Sequence, residues 1–192
     1  MNTGIHQTSR HRGFTLFELI VVIGIISVLF VFAAERLMTL AVQAERAQVQ
    51  QTIGIIRSAL AMRIAAHVAR GKVPELAALA NGNPMELLAD TPDTYLGELD
   101  HPDPATIEGG HWYFDRRSRL LVYRVLNEKE FETRLPGPKR IRWRLEAVFE
   151  DRNGDGRFDP DKDTLVGLKL AAQEKFKWQV EPADIRPRTT NP

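Results

Sequence analysis

An acid inside a lipid-length apolar run and a line of alternating oxygen side chains are the two places where this sequence invites chemistry. The acid is Glu18. It is the only charged residue between Phe14 and Ala34, and that run is long enough to cross a bilayer, which takes about 20 apolar residues. An ionised side chain at mid-membrane costs roughly 2.5–3.5 kcal/mol on insertion scales. Glu18 lies only a turn into the run, so its cost is lower. It either meets a positive partner inside the membrane or rests in the headgroup layer.

The oxygen series is Asp151-Arg152-Asn153-Gly154-Asp155-Gly156-Arg157-Phe158-Asp159, continuing to Asp163. Asp151, Asn153, Asp155 and Asp159 offer side-chain oxygens, and Arg157 offers its carbonyl. A glycine at the sixth position permits the tight turn that aims such donors at one hard cation, such as Ca²⁺. The pattern resembles an EF-hand loop but departs from it at the twelfth position. Lys162 stands there in place of a bidentate acid, and Asp163 or Asp161 must substitute. The plainer reading is a solvated turn between strands, since Asn153-Gly154 and Asp155-Gly156 are turn dipeptides.

Elsewhere the chemistry thins out. Lys139-Arg140-Ile141-Arg142-Trp143-Arg144 is basic with an interleaved aromatic, as in nucleic-acid-binding strands. The alternation already gives each residue a structural place, arginines on one face and Ile141, Trp143 and Leu145 on the other, so nucleic acid is not expected as a partner. His6, His11, His67, His101 and His111 show no metal-ligand spacing. Asp103, Glu108 and Asp115 form no recognisable catalytic pair, and no Ser-His-Asp arrangement, phosphate loop or nucleotide fingerprint is present. The sequence carries no enzymatic site. Cysteine is absent, which excludes disulfides and thiolate metal sites.

These residues need elements to hold them. No proline falls between Phe14 and Val73, so one helix is expected to run to a stop at Gly71, with Pro74 beyond. Val49, Ile53, Ile56, Leu60, Ile64 and Val68 recur at three- and four-residue steps and predict a buried stripe on its second half. Glu75–Ala80 reads as a short helical turn. Asn83-Pro84-Met85-Glu86 reads as an N-cap, a proline in the first turn and an acid. Asp90 to Gly110 reads as loop. Residues 112–114 and 120–125 predict a hairpin, 140–149 a long strand, and 165–170 and 175–180 two more. Phe176, Trp178 and Val180 share a face of the last.

The start of the chain resembles type IV pilin-like proteins, both pilins and the pseudopilins of type II secretion. Gly13, Phe14, Thr15, Leu16 and Glu18 match the pattern of a basic leader ending in glycine, then Phe-Thr-Leu, one residue, Glu and a long apolar helix. The resemblance implies that a prepilin peptidase cuts after Gly13 and methylates the new amine of Phe14. It implies that Glu18 pairs with the Phe14 amine of a neighbouring subunit during filament assembly. A conventional signal peptide ending near Val31-Phe32-Ala33 is the rival; the length of the run and the acid in its first turn argue against it.

The chain of 192 residues, 43% hydrophobic and +1 in formal charge, suffices for an anchor and one modest domain. Arg10, His11 and Arg12 before the run favour a cytoplasmic N-terminus at the inner membrane and a periplasmic C-terminal domain. The expected fold is α+β and pilin-like: a leader at 1–13, an anchoring and assembly helix at 14–34, its amphipathic continuation at 35–71, a variable connector at 72–110, a four- to five-stranded antiparallel sheet at 111–181 and a flexible tail at 182–192. The expected role is that of a structural subunit of a type II secretion pseudopilus or a type IV pilus, with prepilin peptidase, other pilin-like subunits and an inner-membrane assembly platform as partners. No cofactor is required, and Ca²⁺ at Asp151, Asn153, Asp155, Arg157, Asp159 and Asp163 is the one candidate. The alternative is a membrane-tethered Ca²⁺- or DNA-binding module that never polymerises.

Overall fold

The computed structural model of the chain describes residues 15–179, and contacts divide it into two units between Ala41 and Val42. A single helix, α1 (Leu16–Ala69), contributes to both. It begins at Thr15, whose hydroxyl accepts the Glu18 N–H at 3.2 Å, so Thr15 is the N-cap. It ends at Gly71, with φ of +68°. Gly71 N–H donates to the Val68 carbonyl (3.0 Å) and Lys72 N–H to that of His67 (2.9 Å), the paired bonds of a Schellman stop.

In the first unit the large apolar side chains from Leu16 to Phe32 are all exposed. The helix is long and apolar enough there to cross a membrane. Ser27 donates its hydroxyl to the Ile23 carbonyl at 2.7 Å, which removes the one free side-chain donor that lipid would penalise.

The second unit is built on a five-stranded sheet in the order β1-β2-β3-β5-β6: β1 (Tyr95–Leu99), β2 (Trp112–Asp115), β3 (Leu120–Arg124), β5 (Arg140–Glu150) and β6 (Thr164–Ala172). The fold class is the α+β arrangement expected, with two corrections. The sheet is mixed, because β1 pairs parallel with β2 while the other pairs are antiparallel. The stretch 90–110, read as loop, contains β1. Gly97, at φ +86°, lies where the register shifts between Tyr95 and Glu98, and this irregularity hides the strand's alternation from a period-two reading. A second correction concerns β7 (Phe176–Trp178). It leaves the main sheet and pairs with β4 (Phe131–Thr133), a strand not expected. Aromatic contacts hold that pair: Phe131 lies 4.9 Å from Trp178 and 5.7 Å from Phe176 between ring centroids. Val180 and the tail to Pro192 lie outside the described residues.

Val49, Ile53 and Ile56 of the helix stripe are buried in one cluster with Trp112, Phe114, Tyr123 and Trp143, and Leu60 joins Leu76, Leu145 and Leu168 in another. Ile64 packs at the margin of that second cluster. Val68 does not continue the stripe and is 55% exposed, because the described apolar surface that receives α1 ends at Ile64. The hairpin is covered on its other side too: Tyr113, Leu120 and Val122 pack with Leu99 and Ile107. The turn at Pro84 forms as expected, with Asn83 Oδ1 accepting the Met85 N–H at 3.0 Å.

Candidate functional site

Glu18 occupies the third position of α1 and is exposed. With Thr15 as cap, Thr15-Leu16-Phe17-Glu18 has the spacing of a capping box, in which an acid at the third helical position favours the positive end of the helix dipole. This local role is legible in the threonine–glutamate spacing. It gives the acid a reason to exist in a single copy, beside any role between copies. Gly13 and Phe14, the expected cleavage and methylation positions, lie outside the described residues.

The loop between β5 and β6 is held by its own hydrogen bonds. Asp151 accepts the N–H groups of Gly154 (2.7 Å) and Gly156 (2.8 Å). Asn153 accepts that of Asp155 (3.0 Å), and Asp155 that of Arg157 (2.8 Å). Asp159 accepts the Asp161 N–H at 3.1 Å and faces Lys162 Nζ at 3.0 Å; the Lys162 bond is the main cause holding its carboxyl below the ordinary value. Asp163 is buried and takes N–H bonds from Arg152 (3.1 Å) and Asp159 (2.8 Å), closing the loop across its ends. The donors are of a type that suits a hard cation. Among the described residues no three acidic or imidazole side chains gather where an ion would bind.

The basic strand face is largely committed within the fold. Arg142 pairs with Glu174. Arg140 donates to the carbonyls of Pro136 (3.0 Å) and Pro138 (2.9 Å), and Arg144 to that of Ser118 (3.1 Å). His67 is on α1, and His101 and His111 lie in the connection between β1 and β2; His67 bonds the carbonyl of Arg63 (2.8 Å) and His111 that of Gly109 (3.2 Å).

Glu45 is the residue that sequence reasoning missed. Its carboxylate is buried on α1 in the second unit. The Tyr123 hydroxyl (3.0 Å) and Leu126 N–H (2.7 Å) donate to Oε1; the Asn127 N–H (3.0 Å) and side-chain amide (2.7 Å) donate to Oε2. Burial first, and then the Glu45 charge, push the Tyr123 phenol above its ordinary range. The signal was available: Val42, Glu45, Val49 and Thr52 follow three- and four-residue steps, so the acid falls on the buried face.

Residues 8–34 match the family described as the prokaryotic N-terminal methylation motif, the prepilin-type signal of type IV pilins and pseudopilins. No curated protein and no solved structure matches the chain.

Proposed function

We propose that this chain, a type IV pilin-like substrate of prepilin peptidase by its N-terminal signal, is a structural subunit that polymerises through α1 into a pseudopilus or pilus. The observation that carries the reading is the first unit itself. Its apolar side chains have no cover of their own, and a single acid stands one turn inside them. Lipid covers such a surface before assembly, and the helices of neighbouring copies cover it afterwards.

In this reading the peptidase removes residues 1–13, the freed Phe14 amine is methylated, and Glu18 of one copy neutralises the amine of the next. Arg10, His11 and Arg12 keep the N-terminus cytoplasmic, and the second unit lies in the periplasm. The chain has no catalytic role. Its 151–163 loop takes Ca²⁺ only weakly, since Lys162 stands in place of a bidentate acid. The mass of the membrane-extracted chain tests the reading: a start at methylated Phe14 is expected, and a retained leader or a start near position 34 overturns it.

A further inference from the structure

We infer that a second copy of this chain docks the β1 edge of its sheet into an apolar groove beside α1. The inference rests on the assembly reading and names a surface through which the second units of two copies would meet.

The groove runs along α1, bounded on its other side by Leu87, Leu88 and Ala89. Its floor holds small residues, and Ile55 (51%) and Met62 (68%) stand exposed in it. Arg63, His67 and Arg70 line one end. The guanidinium of Arg63 has no ion pair or hydrogen bond among the described residues.

The complement of that surface is on the same chain. From Arg46 to Lys72 the sequence has five lysines and arginines and no acid; from Val73 to Gly110 it has eight acids and no lysine or arginine. The two stretches are consecutive, so charge is segregated along the sequence; Lys72 pairs with Glu75 at 2.8 Å where they meet, and Asp90 also lines the groove. Among the acids of the second stretch lies β1, an edge strand. Leu96 is 45% exposed there. Asp93 and Asp100 flank it, and their carboxylates have no ion pair or hydrogen bond among the described residues. A leucine between acids is the chemistry that an apolar groove with a cationic end recognises.

The two patches differ, so the contact is head-to-tail and leaves a free strand edge on one copy and a free groove on the other. Such contacts propagate.

The chain has no cysteine, which makes the test clean. Full-length Met62→Cys and Leu96→Cys chains, differently tagged, are co-expressed and treated in membranes with a short bis-maleimide. A mixed adduct is expected. It should fall at least tenfold when the Met62→Cys copy also carries Arg63→Glu and Arg70→Glu, and recover when the Leu96→Cys copy carries Asp93→Lys and Asp100→Lys. Absence of the mixed adduct, or adducts only between two Met62→Cys copies, overturns the inference. The adduct is scored whether or not filaments form. Processed, polymerising chains without it therefore leave the assembly reading standing, and an unprocessed chain fails that reading separately.

Discussion

The Tyr123 hydroxyl donates to Glu45 Oε1 at 3.0 Å, joining α1 to β3 across 78 positions of sequence. Three further donors from Leu126 and Asn127 converge on the same carboxylate. The helix is thus tied to the strand end by direction as well as by apolar contact. Glu45→Ala leaves four donors without their acceptor, and is expected to cost about 3 kcal/mol or more. Tyr123→Phe removes one donor and is expected to cost about 1 kcal/mol. In the double variant the tyrosine should cost less than it does alone, because its acceptor is gone. Denaturant melts of the detergent-extracted chain measure all three; equal costs in both backgrounds would mean that the hydroxyl bond contributes nothing.

Asp115 sets a pH limit on the hairpin. Burial raises its carboxyl, but bonds from the Ser118 hydroxyl (2.6 Å) and from the N–H groups of Arg117 (3.0 Å) and His101 (3.2 Å) outweigh burial and hold it below its ordinary value. A carboxyl depressed in the folded state adds stability that is full above its unfolded value, near pH 4, and is lost as pH falls through the folded value. The loss of stability below pH 4 is therefore expected to be shallower in Asp115→Asn than in the natural chain. At pH 7 the variant should be less stable by about 1 kcal/mol. Parallel acid curves would show that the turn does not depend on the charge.

The 151–163 loop should depend on Asp163 before it depends on an ion. Asp163→Ala removes the acceptor of the Arg152 and Asp159 amides. Hydrogen exchange at those two amides should speed up by tenfold or more, with the strands beside them unchanged. A chelator should leave the natural chain's melt where it is. Calcium should raise the melt only at concentrations on the order of 10⁻⁴–10⁻³ M, the range of weak extracellular sites. A rise that saturates at micromolar Ca²⁺ would show that the oxygens re-aim into a strong site.

What the sequence made legible follows from how local each signal is. The helix, its stop at Gly71 and the alternation of Arg140, Arg142 and Arg144 against Ile141, Trp143 and Leu145 depend on neighbours within a few positions, and each is found in the structure. The parallel β1 was illegible because a positive-φ glycine and a register shift break its period. The β4–β7 pair brings Phe131 to Trp178 from far along the chain, and strands of three residues carry too little pattern to register. In the oxygen loop the spacing identified residues that do work together; the local sequence did not reveal that their partners are backbone N–H groups. At Glu18 the threonine three residues before it carries a capping signal beside the intersubunit one.

That pair of readings for Glu18 can be separated by Thr15. The hydroxyl of Thr15 accepts the Glu18 N–H, so a capping role predicts that Thr15→Ala and Glu18→Ala do similar harm, about 1 kcal/mol each at the start of α1. A role between copies predicts a difference. Thr15→Ala keeps the negative charge that neutralises the next amine, and should still assemble. Glu18→Ala should be inserted and cut after Gly13 as before, yet enter filaments at least tenfold less. Glu18→Gln distinguishes charge from shape: it keeps an oxygen near the helix start and loses the ion pair, and is expected to behave like the alanine variant. Co-expression with the natural chain sharpens the result, since incorporation of each variant is then read against an internal standard in one sheared-filament fraction. Equal incorporation of Thr15→Ala and Glu18→Ala would assign the acid to its own helix and leave the neighbour's amine without a partner at this position.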